Sequence, residues 1–251
     1  MRMCGRFVSA ASLEQIAAHF DTPLPGFDAP RSYNVAPTAD IVAVVANDDA
    51  RQIETFRWGL VPAWSKDPTK GPPLFNARSE TASTKNTFRS AFVRRRCIVP
   101  ADGFYEWPKA PKGTNPDERP LPHYITRTDG GMLAMAGLWE RWWPPGDAPD
   151  SSGSVSERRV LHSATVLTTA ANDFMVPIHD RMPVLLERSA WDAWLDPAND
   201  GIDMLSAMCA PAAEGILRSH QVGRAVGNVR NSDASLIEPA DPTEAAPDRL
   251  F

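Results

Sequence analysis

The stretch Ile41-Val42-Ala43-Val44-Val45-Ala46-Asn47-Asp48-Asp49-Ala50-Arg51-Gln52-Ile53-Glu54-Thr55-Phe56-Arg57-Trp58 decides the fold class. Its two arms, 41–46 and 52–58, are rich in β-branched and aromatic residues, and the polar run 47–51 between them reads as a hairpin loop. Further strands are expected at Cys97–Val99, Gly103–Trp107, His123–Arg127, Met132–Trp139, Val160–Thr168 and Pro183–Leu186, with Asp129-Gly130 as a tight turn. Helices are fewer and short. Ser12-Leu13-Glu14-Gln15 has capping-box spacing, and Leu13, Ile16, Ala17 and Phe20 fall on one helical face. Others are expected from about Thr87 to Arg94, from Ser189 as N-cap to Leu195, and over Gly201–Cys209. Strands joined by short turns, with few helices long enough for crossovers, predict an α+β fold. Its single domain would have an antiparallel, barrel-like β core and peripheral helices.

Pro and Gly cluster at Pro108–Pro122, Pro144–Ser156 and Pro239–Phe251. The first two interrupt consecutive strands and read as surface loops. The domain is therefore expected over 1–239, with 240–251 a disordered tail. Hydrophobic residues make up 43% of the 251 and charged residues 23%, with no apolar run of membrane-spanning length. Cysteines at 4, 97 and 209 form neither a CxxC pair nor an even disulfide set, which points to a reducing, cytoplasmic setting. None of the five histidines stands at ligand spacing with another His or Cys, so neither a metal nor a cofactor is expected. A net charge of −5 excludes a protein that coats nucleic acid by bulk electrostatics. Any such site must be a local basic groove, for which Arg78, Arg89, Arg94-Arg95-Arg96, Arg181, Arg224 and Arg230 are candidates.

Four segments put reactive groups at expected strand ends: Cys4-Gly5-Arg6-Phe7, Phe75 to Thr81, Ala101 to Trp107 and Ile178 to Pro183, the last three carrying Asn76, Glu106 and His179. A cysteine with a free α-amine is a 1,2-aminothiol. It condenses with an aldehyde to an imine, which the thiol closes to a five-membered thiazolidine. The same start also fits a buried structural cysteine. Glu106 between two aromatics suits a general acid or base if partly desolvated, and His179 can shuttle protons.

Together with Tyr33-Asn34-Val35-Ala36-Pro37-Thr38, Trp58-Gly59-Leu60-Val61-Pro62-Ala63-Trp64, Cys97 to Ala101, Ala136-Gly137-Leu138-Trp139, Thr168 to Ala171 and Val226-Gly227-Asn228-Val229, these segments resemble the SOS-response-associated peptidase family. The match runs in order over residues 4–239. Members of that family shield abasic sites in single-stranded DNA. The resemblance implies a DNA damage response protein that crosslinks to abasic DNA through Cys4, with associated autopeptidase and lyase activity. By the same carry-over, Asn76 holds the adduct, Glu106 manages protons at amine and imine, and His179 assists sugar ring opening. Arg6, Arg78 and Arg181 contact phosphates, and Asn34, Pro37 and Trp64 line the strand's path. The partner is single-stranded DNA with abasic sites, the protein a monomer, nucleoid-associated if bacterial and away from membranes.

In that family the cysteine follows the initiator methionine, whereas Met1-Arg2 precede Met3 here. Initiation at Met3 or self-cleavage is therefore expected to expose Cys4. Two other functions fit the residues: a thiol peptidase or amidohydrolase with an amino-terminal nucleophile, and a non-covalent single-strand binder that stacks Trp64 and Trp107 on bases.

Overall fold

The computed structural model describes residues 5–47, 50–110, 113–115, 119–144 and 160–241. Its strands are β1 (Phe7–Ser9), β2 (Ser32–Val35), β3 (Asp40–Asn47), β4 (Ala50–Trp58), β5 (Asn76–Arg78), β6 (Arg96–Ala101), β7 (Gly103–Glu106), β8 (His123–Arg127), β9 (Leu133–Trp142), β10 (Leu161–Ala170), β11 (Arg181–Pro183) and β12 (Leu217–Gln221). Five short helices accompany them: α1 (Leu13–Phe20), α2 (Ser79–Ala82), α3 (Arg89–Arg94), α4 (Trp191–Leu195) and α5 (Ile202–Ala207).

The apolar run 41–46 lacks the alternation of a half-exposed strand because β3 is buried on both faces. Ile41, Ala43 and Val45 join one core cluster and Val42 and Val44 another. The first cluster fills the space between the larger sheet and Phe7, Val35, Phe104, Ile125 and Leu217 of the smaller one. The second lies under the helices, where Ile16, Ala17 and Phe20 of α1, Phe92 of α3, Trp191 and Trp194 of α4 and Leu205 of α5 cover the sheet.

The larger sheet closes on itself. β3 pairs with β4 and β6, β6 with β9, β9 with β10, and β10 with β4. This closed ring of five strands leaves no free edge within itself. The smaller sheet runs β12-β8-β7-β1-β2. This is the expected α+β architecture with a barrel-like core, and its ladders are antiparallel except for those of β10 with β4 and β5. No helix among the described residues is long and apolar enough to cross a membrane.

The capping box at Ser12 and Gln15 forms as expected. Ser189 does not cap its helix: it sits inside a 3-10 turn, Arg188–Ala190, that leads into α4. The run Arg94–Arg96 is not a basic surface either. Arg96 is buried and donates to the carbonyls of Phe92, Val93, Trp194, Asp196 and Asn199, satisfying the C-terminal ends of α3 and α4. Arg95 pairs with Glu140 at 2.7 Å. The expected loop 144–156 and the tail lie largely outside the described residues.

Gly137 of β9 pairs with Cys97 on one side and Val166 on the other. A Cβ there would stand 2.7 Å from Cys97 Sγ and 3.1 Å from the Thr165 carbonyl oxygen, closer than packed atoms allow. Gly137→Ala is expected to destabilise the fold by about 1–3 kcal/mol, read as a lower urea midpoint. An unchanged midpoint would show that the two sides of the ring are less tightly joined than described.

Candidate functional site

β10 assembles the site. On one edge it pairs in succession with β4 and β5, and on the other with β9 and β11. Asn76 thereby stands beside Val166, Arg78 beside Thr168 and Arg181 beside Ala170. These strands border a cavity of about 490 Å³ lined by residues that include Phe75, Asn76, Arg78, Lys109, Thr168 and His179.

The chain start reaches the same place. β1 pairs with β7 in the register Phe7↔Phe104, and the Tyr105 N–H donates to the Arg6 carbonyl at 3.0 Å. Carried one residue further, that register runs Gly5 alongside Glu106, which is buried at the end of β7. Gly5 also lies against the Phe75 ring, with an added Cβ falling 3.6 Å from its Cε2. Cys4 itself lies outside the described residues.

His179 is set by a turn that Asn172 organises, its Oδ1 accepting from the Met175 N–H at 3.1 Å while Met175 and Ile178 anchor in the core. The imidazole is 4% exposed. Its Nδ1 accepts from the Arg181 N–H at 3.1 Å and lies 3.0 Å from Asp180 Oδ1. Nε2 is buried with no hydrogen-bond partner among the described residues. Burial pushes the imidazole below its ordinary pKa, against the pull of Asp180. An Nδ1 that accepts leaves the proton of the neutral ring on Nε2. His179 is itself among the residues that line the cavity.

The arginines divide. Arg181 is gripped by Glu80 through a two-pronged ion pair of 2.8 and 2.9 Å and donates to the Thr168 carbonyl at 2.6 Å. Glu80 is held below the usual carboxylate range chiefly by that contact. Arg181 thus braces β11 against α2. Arg6 bonds Asn34 Oδ1 and the Val226 carbonyl, both at 2.9 Å. Asn34 is buried, its amide donating to the carbonyls of Val226, Asn228 and Asn231. These two were expected along a DNA path. In the structure they also fasten β1 and β2 to the distant segment 226–231, whose turns leave carbonyls that need donors. Arg78 is exposed, and its guanidinium has no hydrogen-bond or ion-pair partner among the described residues. With Arg181 matched by Glu80 and Lys109 by Asp180 at 3.0 Å, Arg78 is the uncompensated cation of the described wall.

Trp64 is 69% exposed, in a loop that follows Gly59 and Leu60. The Leu60 N–H bonds the Leu74 carbonyl at 3.1 Å, so this loop packs on the Pro72–Leu74 side of the cavity. Pro37 occupies a turn closed by the Ala39 N–H on the Ala36 carbonyl. The next residue, Thr38, has φ +79°, an unfavourable value for a β-branched side chain, and its N–H donates 2.7 Å to the Trp58 carbonyl.

A family model of the SOS response associated peptidase (SRAP) matches residues 3–229. The chain belongs to that family. It is 35% identical over 238 residues to abasic site processing protein YoaM of Bacillus subtilis, covering 94% of this chain and 98% of the relative. To abasic site processing protein YedK of Escherichia coli it is 32% identical over 245 residues, covering 94% and 100%. A crystal structure of a Bacteroides thetaiotaomicron protein shares the fold, with TM-score 0.76, 22% identity and coverage of 94% and 100%.

Of the residues carried over from the SRAP motifs, Asn76, Arg78, His179 and Arg181 share one cavity, with Gly5 at its Phe75 wall and Glu106 beside Gly5. Sequence reasoning missed Lys109 as a lining residue and Trp58 as the organiser; nothing in the sequence near Lys109 marks its link to Asp180. Among the described residues no three His, Cys, Asp or Glu side chains gather as a metal would require.

Burial pushes the Cys209 thiol up to about 12 and the Cys97 thiol higher still. Neither is a nucleophile near pH 7. A thiol-specific reagent on the native protein is expected to modify no more than one of the three cysteines, and all three after unfolding. Native labelling of Cys97 or Cys209 would contradict this assignment.

Proposed function

We propose that this protein processes abasic sites in single-stranded DNA by forming a thiazolidine between Cys4 and the ring-opened sugar aldehyde. The observation that carries this reading is the position of Gly5. The residue bonded to Cys4 touches the aromatic ring lining a cavity that also holds an amide, an imidazole and an unpaired guanidinium. The names of the relatives supply the substrate class.

The chemistry follows from the groups present. As the sugar C1′–O4′ bond breaks, the protonated His179 ring gives a proton to O4′ and Glu106 takes the C1′ hydroxyl proton, leaving an aldehyde. The Cys4 amine, with an ordinary pKa of about 7.7–8.0, adds to C1′ and water leaves, giving an imine. The thiol adds across that C=N bond, sulfur to carbon and its proton to nitrogen. Asn76 hydrogen-bonds the adduct. Arg78 takes a backbone phosphate, while exposed Trp64 offers a face on which a base stacks beside Pro37. The mechanism needs a free amine on Cys4, supplied by initiation at Met3 with removal of that methionine or by self-cleavage. β-Elimination is a secondary activity of the same carbonyl chemistry.

On an abasic single strand, the wild type is expected to give an adduct that survives denaturing electrophoresis. Cys97→Ala and Cys209→Ala should retain it, and Cys4→Ala should lose it while still binding. Glu106→Gln should lower the rate at saturating DNA by about 10²–10⁴-fold. Arg78→Ala should weaken binding and flatten its salt dependence by about one phosphate contact. Turnover of an amide without an adduct would favour the peptidase function, and reversible binding alone a non-covalent binder. A slower saturated rate in Arg78→Ala with unchanged affinity would place Arg78 in the chemical step.

A further inference from the structure

Two surface groups with no role in the chemistry above stand behind His179. Asp180 presents Oδ1 to His179 Nδ1 at 3.0 Å and Oδ2 to Lys109 Nζ at 3.0 Å. Lys109 also lines the cavity. We propose that Lys109 and Asp180 form a substrate-released switch on His179. In it, a DNA phosphate entering the cavity draws the Lys109 ammonium off Asp180, and the freed carboxylate holds a proton on the imidazole. The inference rests on the role given to His179 under Proposed function.

The geometry allows both states without moving the ring. The Nδ1 atom can accept from the Arg181 N–H, as a neutral ring does. Once protonated it can donate to Asp180 Oδ1 at an equally short distance. Which state prevails depends on how much negative charge Asp180 presents. While Lys109 shares that carboxylate, the buried ring stays neutral. Without it, the full charge faces Nδ1 and stabilises the imidazolium, whose Nε2–H is the stronger acid toward the sugar oxygen.

The pair is suited to release because it is weak. Its side chains are 62% and 65% exposed, a setting in which an ion pair contributes little and is readily exchanged for a phosphate. The neighbouring Arg181–Glu80 pair differs: it is two-pronged, and the arginine side chain is only 14% exposed. Among the described residues the charged groups around His179 are Asp180, Lys109 and Arg181, with Arg78 elsewhere on the cavity wall. Arg181 keeps its carboxylate throughout, so the switch is confined to Lys109 and Asp180. Both act through His179 and are positioning residues.

The test is an NMR pH titration of the His179 ring in the full chain, free and with a saturating single strand that contains no abasic site. Wild type, Lys109→Met, Asp180→Asn and the double variant are compared. In the free protein, Lys109→Met should raise the His179 midpoint by roughly half a pH unit, the scale of a partly screened neighbouring charge. It should also reduce the further rise that DNA produces. In the Asp180→Asn background the same substitution should have little effect, because its route to the ring is gone. An equal shift from Lys109→Met in both backgrounds, or none in either, overturns the proposal. The titration requires folding and binding but no reaction. A wild type that fails to crosslink abasic DNA would therefore sink the proposed function and still leave the coupling of Lys109, Asp180 and His179 to be read.

Discussion

The indole of Trp58 is the contact on which the site depends. It is fully buried at the end of β4, and its Nε1–H donates 2.9 Å to the Phe75 carbonyl, one residue before Asn76. Its ring meets Phe7 of β1 edge-on at 4.9 Å and Phe75 at 5.8 Å. Its backbone is held by the strained turn, donating to the Ala39 carbonyl and accepting from Thr38. One residue thereby ties β1 and the cavity wall to the closed ring through its side chain, and the Pro37 loop through its backbone. Losing it would leave a void and weaken a buried hydrogen bond, each worth about 1–3 kcal/mol or more, at the point where the reacting groups meet.

The electrostatics of the cavity follow from pairing. Lys109 and Arg181 each have a carboxylate, and Arg78 has none. A protein of net charge −5 can therefore still offer a local attraction to phosphate. The buried Cys97 and Cys209 thiols are silenced by desolvation. Burial also lowers the pKa of the His179 ring, against the pull of Asp180. In the proposed chemistry a neutral ring can only polarise a sugar oxygen, whereas full proton transfer requires the imidazolium.

Much of the fold was legible where burial is two-sided or capping is local. The run 41–46, the β-branched and aromatic content of 52–58 and the Ser12 capping box each record their own environment. β1, β2, β5 and β12 escaped notice because they are three to five residues long and owe their existence to partners far along the chain. The same limit governs the site. Asn76, Glu106 and His179 stood out as polar groups at strand ends, and the structure brings the segments that carry them together. Asn34 and Arg181 were read as DNA contacts, and nothing near them in sequence reveals that they also meet the carbonyls of 226–231 and the carboxylate of Glu80. Ser189 looked like a cap because composition does not distinguish a helix start from the 3-10 turn before it.

The most direct test of the central claim is the mass of the adduct formed on an abasic single-stranded oligonucleotide, followed by mapping of the modified residue. The thiazolidine account predicts a protein chain beginning at Cys4 plus the oligonucleotide minus one water, with the modification on residue 4 and no need for a reductant to trap it. An adduct that retains Met1-Arg2-Met3, or one on a lysine that persists only after borohydride reduction, would contradict it.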